Sequence, residues 1–349
     1  MKGAKKQLIT NNFQLYLSAT KQHIHSELSN LLSRISPLKL HSQIEYALLS
    51  KGKRLRPILV VLSAQSVGGS QDKVMPLALA LELIHTATLV HDDIIDRDEL
   101  RRGIPALYKK WSVNDAILAG DAMIALAVNL VADFGMRIMK IVSQSALELC
   151  DGEQMDISLS LNTATEEEYF SKIKGKAASL FRASAQCGAM AGGGSNLEVQ
   201  SLVAFGENFG VAYQLKDDFI DLTFSGSSIP KDLKIGRIAL PLIHLYKTSD
   251  YGEKAILEKH LQTLMREDYK VNKAIVKRLL YSLETAGSLK YCERKIFEYV
   301  HRAVESISLL KDTAFKTYLT QMAIHQLIPP MDTGLSRSNR RCDAAKIRG

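Results

Sequence analysis

Leu77-Ala78-Leu79-Ala80-Leu81-Glu82-Leu83-Ile84-His85-Thr86-Ala87-Thr88-Leu89-Val90-His91-Asp92-Asp93-Ile94-Ile95-Asp96 is the run against which the other segments are read. From Pro76 onward, Leu79, Leu81, Leu83, Ile84, Ala87, Leu89 and Val90 cover almost the whole helical wheel, which predicts a helix buried inside a bundle. Its end carries carboxylates instead. At roughly 100° per residue, Asp92 and Asp96 fall about 40° apart and Asp93 and Asp96 about 60° apart, so three acids share one face within about one turn. Like charges that close repel, and a helix tolerates them when a cation lies between them. Oxygen donors on a rigid helix suit magnesium, which takes one or two carboxylates, keeps several waters and completes its sphere with phosphate oxygens.

The pattern returns far down the chain. Val203 to Leu215 predicts a second mostly apolar helix, and it too ends in acids, Asp217, Asp218 and Asp221, at the spacing of the first triplet. Either triplet alone reads more simply as a solvated helix end. Two of them, each behind a long apolar run, predict two facing walls of one cavity.

The 349 residues are 46% hydrophobic and 23% charged, the balance of a soluble globular protein with a large core. The eight prolines stand at 37, 57, 76, 105, 230, 241, 329 and 330, so residues 106–229 contain none. That stretch, rich in Ala, Leu, Met and Glu, reads as successive helices, and with β-branched alternation scarce the fold class is an all-α single-domain bundle over residues 1–328. The formal charge of +8 is compatible with nucleic acid, an anionic membrane or a polyanionic substrate. No basic stripe with interleaved aromatics and no zinc-finger spacing occurs, which disfavours nucleic acid and points to small phosphorylated substrates. The four cysteines (Cys150, Cys187, Cys292, Cys342) form no CxxC pair, which predicts a reducing, cytoplasmic setting, with Cys150 and Cys187 filling core space. Gln7 to Arg34 holds no apolar run long enough for a signal peptide or membrane span.

Near the N-terminus, Leu17, Ile24, Leu28, Leu31 and Ile35 recur at helical intervals, predicting an amphipathic helix ended by Ser36-Pro37. After a helix from about His41 comes Ser50-Lys51-Gly52-Lys53-Arg54-Leu55-Arg56-Pro57. Four cations at a glycine turn, just before a proline-initiated helix, place mobile positive side chains beside free backbone N–H groups, an arrangement suited to a diphosphate or, more simply, a solvated basic loop. His85 lies seven residues before Asp92, two turns along the same face. Beyond the acids, Arg101-Arg102 precede a helix-stopping Gly103. They read as partners of the helix dipole or as phosphate clamps.

The run Gly52-Lys53-Arg54-Leu55-Arg56-Pro57, then His85 to Asp96 continuing through Arg101-Arg102-Gly103, then Tyr213-Gln214-Leu215-Lys216-Asp217-Asp218-Phe219-Ile220-Asp221, resembles the all-trans polyprenyl diphosphate synthases. The likeness extends from about residue 40 to 325, with supporting matches at Gly120-Asp121, Gly152-Glu153-Gln154, Lys176 and Leu240-Pro241. It implies helices around a deep cavity in which magnesium ions hold an allylic diphosphate. By matching positions it implies metal ligands at Asp92, Asp96 and Asp217, with Asp93, Asp218 and Asp221 close by. Lys53, Arg56, His85 and Arg102 match residues that hold isopentenyl diphosphate, while Arg101, Lys176 and Gln214 match contacts to the allylic substrate. The family is usually dimeric, so a homodimer is expected.

Members that stop at fifteen or twenty carbons often carry a bulky aromatic four or five residues before the first aspartate; here those places are Ala87 and Thr88, and Ala122, Ala125 and Ala127 are small too. The expected product therefore has twenty carbons or more. The chain departs from the family pattern at Lys51, Ala177 and Arg237-Ile238-Ala239. The loop after Asp221 is also short, with Ser227 where a diphosphate-binding lysine is expected and Lys231 where an aspartate is usual, leaving Lys231 and Lys234 as candidate replacements. A terpene cyclase or head-to-head condensing enzyme, and a non-catalytic subunit of a heteromeric synthase, are the competing readings. Residues 329–349, with Arg337, Arg340, Arg341, Lys346 and Arg348, read as a disordered basic tail or a peripheral contact to anionic lipid.

Overall fold

In the computed structural model, which describes residues 2–35, 38–224, 229–265 and 269–328, regular structure is helical apart from one short hairpin. The helices are α1 (Lys2–Arg34), α2 (His41–Leu48), α3 (Leu55–Ser66), α4 (Gln71–Ile95), α5 (Leu107–Lys110), α6 (Val113–Ala132), α7 (Gly135–Ser158) and α8 (Glu166–Ile173). They continue as α9 (Ser179–Ala191), α10 (Asn196–Phe224), α11 (Lys231–Lys234), α12 (Leu240–Thr248), α13 (Tyr251–Leu264), α14 (Tyr269–Thr285), α15 (Ser288–Ser306) and α16 (Ala314–Leu327). Strands β1 (Leu100–Arg101) and β2 (Ile104–Pro105) form the hairpin. The all-α expectation holds.

The chain divides into two compact units. The first comprises Met1–Cys150, Ser179–Glu207 and Ser306–Gln321. Its centre is α4, packed against α3, α6 and α9. Both α3 and α4 are buried almost all round, as their continuous apolar sequences require. In α1 the buried stripe is Phe13, then, seven residues on, Thr20, Ile24, Leu28 and Leu32 at i, i+4 steps, while the expected Leu17, Leu31 and Ile35 are half-buried. The expected stop at Ser36-Pro37 lies outside the described residues.

Two boundaries of α4 differ in instructive ways. The helix starts at Gln71, not at Pro76, which sits inside it. A proline there removes only the bond to Asp72 in the first turn, and the buried face downstream outweighs that loss. At the other end the helix stops on the third acid. Arg97 adopts a left-handed φ of 56°, and the Asp98 N–H donates to the Asp93 carbonyl at 2.8 Å, the closing bond of a Schellman motif.

The second unit comprises Asp151–Ala178, Asn208–Glu305 and Met322–Gly349. In α15, Leu289, Cys292, Ile296, Val300 and Ala303 form one buried stripe. The second apolar run is longer than expected: α10 continues to Phe224, so Asp217, Asp218 and Asp221 lie within the helix and not at its end. Cys187 and Cys292 are buried, but Cys150 is exposed, against the expectation that it fills core space. Helices α4 and α6 are both long and apolar enough to cross a membrane; α4 is mostly buried, whereas α6 exposes Ile117, Leu118, Ile124 and Val128.

Candidate active site

Within the first unit, α2, α3, α4 and the hairpin gather the cations the sequence singled out. Arg56 projects from the first turn of α3, its guanidinium 4.3 Å over the Phe181 ring and its Nη1 3.0 Å from His85 Nε2. Burial, then the positive charges of Arg56, Arg102, Arg54 and Arg101, hold the His85 imidazole well below its usual pKa, so it is neutral beside Arg56. Arg102 donates to the Ser50 hydroxyl at 2.9 Å, and its guanidinium lies where a Cβ on Gly52 would come within 2.9 Å. Glycine at 52 lets the basic loop and Arg102 approach each other. Lys53 is exposed on that loop.

Two readings of these cations need correction. The four loop cations are not all mobile: Arg54 is 5% exposed, pairs with the buried Glu82 and donates to the Leu48 and Ser50 carbonyls. Its buried guanidinium needs acceptors on all sides, which excludes it from the solvent-facing set. Nor does Gly103 stop a helix, which has already ended. Arg102 and Gly103 have φ of 56° and 81° and form the two-residue turn of the β1–β2 hairpin. Among the described residues, the non-glycine residues with positive φ are Arg54, Arg97 and Arg102, all next to the candidate diphosphate-binding groups.

The first acids sort themselves by burial. Asp93 is 2% exposed and accepts Arg101 Nε at 2.6 Å, while Arg101 also reaches Asp98 at 3.1 Å. Burial opposes the charge on Arg101, but Asp93, Asp98 and Asp92 outweigh it and raise the guanidinium pKa. Asp92 and Asp96 are half-buried, one turn apart. Ala87 is fully buried in α4, and the half-buried Thr88 returns its hydroxyl to the His85 carbonyl at 2.9 Å.

Within the second unit, Lys176 lies in a π-helical turn, Lys174–Ala178. Such turns mark functional sites more often than chance, and neither propensity nor spacing announces this one. Gly152 makes the turn possible, because a Cβ there would fall 2.1 Å from the Lys176 nitrogen. Lys176 Nζ reaches Glu153 at 2.7 Å and Asp156 at 2.5 Å; Lys172 reaches Asp156 at 2.8 Å, and Arg237 reaches Glu153 at 3.1 Å. Burial would raise the Asp156 pKa, yet Lys172 and Lys176 bring it down to about 2. Asp156, Lys172 and the role of Arg237 escaped sequence reading, because the partners are up to 84 residues apart.

Asp218 is 6% exposed and accepts the Tyr169 hydroxyl at 2.6 Å and Gln214 Nε2 at 2.7 Å. Burial raises its pKa, against the opposing pull of Lys172 and these hydrogen bonds. Asp221 accepts the backbone N–H groups of Lys231 and Asp232 at 3.3 and 3.1 Å. Asp232 was not anticipated: burial, then Asp218 and Asp221, push its carboxyl up to about 7. Of the candidate replacement lysines, Lys231 is half-buried and Lys234 exposed, and Ser227 lies outside the described residues. Asp217 is half-buried.

Among the described residues, no group of three or more His, Cys, Asp or Glu side chains forms a ready-made metal cage. The half-buried acids offer oxygen donors only, a set that fits a hard divalent cation drawing its other ligands from water and diphosphate.

Comparison with known proteins bears on the same residues. The polyprenyl synthetase family model matches residues 38–279. A geranylgeranyl diphosphate synthase of Methanosarcina mazei is 32% identical over 317 residues, covering 87% of this chain and 94% of that protein. Among solved structures, geranylgeranyl pyrophosphate synthetase from Pyrococcus horikoshii Ot3 is 28% identical with a TM-score of 0.82, covering 92% of this chain and 99% of that one. Polyprenyl synthase from Caulobacter crescentus CB15, complexed with calcium and isoprenyl diphosphate, is 25% identical with a TM-score of 0.80, covering 90% and 97%. The basic loop, the His85–Asp96 helix and the α10 acids all fall inside the matched segment, and this chain belongs to the polyprenyl synthetase family.

Proposed function

We propose that the protein is a trans-prenyltransferase that condenses isopentenyl diphosphate head-to-tail with an allylic prenyl diphosphate to give a polyprenyl diphosphate of twenty carbons or more. The observation that carries this reading is the gathering of Arg56, 3.0 Å from His85, with Arg102, whose guanidinium lies against Gly52 of the basic loop: a cluster of positive charge that an incoming diphosphate would neutralise. Condensation breaks the allylic carbon–oxygen bond, leaving a cation and diphosphate. The π electrons of isopentenyl diphosphate then attack that cation, and loss of a proton to the released diphosphate leaves a new double bond. No protein nucleophile is required, so the residues work by charge and position.

Asp92, Asp96 and Asp217 would hold magnesium, which when bound neutralises the leaving diphosphate. Asp93 ties α4 to the hairpin through Arg101, while Asp218 and Asp221 tie α10 to α8 through Tyr169 and to the α11 backbone. Lys53, Arg56, His85 and Arg102 would bind isopentenyl diphosphate; Arg101, Lys176 and Gln214 would contact the allylic diphosphate. The buried apolar walls of α3 and α4 would keep water from the cation. Small Ala87 and the modest Thr88 leave room for a chain longer than fifteen carbons. The expected assembly is a cytoplasmic homodimer, formed through the α6 face that exposes Ile117, Leu118, Ile124 and Val128 around Asp121.

The test is an assay of the purified chain with magnesium, labelled isopentenyl diphosphate and primers of five to fifteen carbons, with products separated by chromatography. Twenty carbons or more is the expected outcome; farnesyl diphosphate as sole end product refutes the length assignment, and no elongation with any primer refutes the activity.

A further inference from the structure

Glu82 is a carboxylate in the middle of a helix whose neighbouring turns are apolar, and it is 1% exposed. Its partner is Arg54, 5% exposed, at the start of α3. An ion pair so buried contributes little to stability, because the loss of hydration of both charges offsets their attraction. Apolar side chains would fill the same space at no such cost. The remaining bonds of Arg54 show what the pair does hold: Nη2 donates to the Leu48 carbonyl, where α2 ends, and at 2.8 Å to the Ser50 carbonyl, where the basic loop begins. One guanidinium therefore fastens three segments, the end of α2, the loop and α4.

The backbone repeats the message. Arg54 has φ of 55°, a left-handed conformation that an L residue adopts only when its surroundings impose it. That reversal joins the loop to α3, leaving the Lys53 side chain exposed before it and Arg56 against His85 after it. Ser50 is tied a second time, its hydroxyl accepting from Arg102. Lys53, Arg56 and Arg102 thus share one mechanical anchor.

From this geometry we infer that Arg54 and Glu82 are positioning residues for isopentenyl diphosphate: the pair holds the Ser50–Lys53 loop in the conformation that presents Lys53, Arg56 and Arg102 to one diphosphate. The inference rests on the functional reading above and adds two residues that touch no substrate.

The experiment compares the full-length wild type with Glu82→Gln, Arg54→Lys and the apolar double replacement Arg54→Met/Glu82→Leu. Isopentenyl diphosphate is varied at saturating allylic diphosphate, the reverse titration follows, and thermal unfolding is recorded for each. The double replacement leaves no unpaired buried charge, so it separates folding from positioning. It is expected to raise KM for isopentenyl diphosphate about tenfold, with kcat and KM for the allylic diphosphate changed by less than about twofold. Arg54→Lys keeps the charge but not the planar fork, and its KM should fall between the two. A folded double variant with unchanged KM for isopentenyl diphosphate, or one that loses kcat with both KM values intact, overturns the assignment. A wild-type chain that elongates no primer overturns the functional reading itself, and this pair's role with it.

Discussion

Asp92-Asp93-Ile94-Ile95-Asp96 and Asp217-Asp218-Phe219-Ile220-Asp221 are near-copies in sequence, yet the chain holds them by different means. In both, the second acid is buried, Asp93 at 2% and Asp218 at 6% exposure. Asp93 is balanced by a full positive charge, Arg101. Asp218 accepts its hydrogen bonds from neutral donors, Tyr169 and Gln214, and burial raises its pKa despite the positive charge of Lys172. The first triplet also closes a helix, whereas the second lies inside α10 and is braced by the backbone of α11. A spacing written twice in a sequence fixes which face the carboxylates share; what neutralises them is set by the segments packed alongside.

The largest effects should come from the half-buried acids. Asp92→Ala or Asp217→Ala is expected to lower kcat about 10³-fold or more while leaving the circular dichroism spectrum and melting point near wild type, since neither carboxylate is buried in the core. Lys53→Ala should act on binding: KM for isopentenyl diphosphate rises about tenfold with little change in kcat, measured by steady-state assay.

The buried acids distinguish the two modes of neutralisation by stability. Asp93→Asn removes a buried charge from Arg101 and should cost about 2 kcal/mol, less than a fully buried pair because the guanidinium remains partly in water. Asp218→Asn keeps groups able to hydrogen-bond Tyr169 and Gln214 and should cost only about 1 kcal/mol. Urea denaturation of both variants measures the difference, and equal losses would contradict it.

A pH dependence of stability belongs to the first unit and appears only on acidification. Burial and the surrounding arginines depress the folded-state pKa of His85, so between that value and about 6.5 the unfolded chain binds a proton that the folded chain does not. Stability is therefore retained above about pH 6.5 and falls on acidification, by roughly 1.4 kcal/mol per pH unit from this group. His85→Gln should flatten that part of the urea-stability profile.

Much of this was legible in the residues. The apolar wheel of Leu77–Val90 announced a buried helix, and the acid spacing marked the groups worth following. Partners brought in from distant segments were not legible. Glu82 was a visible anomaly in a greasy helix, but nothing local named Arg54 as its partner. Asp156, Lys172 and Arg237 meet only through tertiary packing, and the π turn at Lys176 depends on Gly152 approaching it from another helix. Boundaries misled where a residue's usual role was taken literally: Pro76 as a helix start, Gly103 as a helix stop.

The central claim is that Asp92 and Asp217, 125 positions apart in the chain, serve a single bond-breaking step. Single-turnover rates for Asp92→Ala, Asp217→Ala and the double variant test it directly. The account predicts that the double variant is hardly slower than either single one, as for groups that act as a unit. Losses that multiply as independent factors, or a near-normal rate in either single variant, would contradict it.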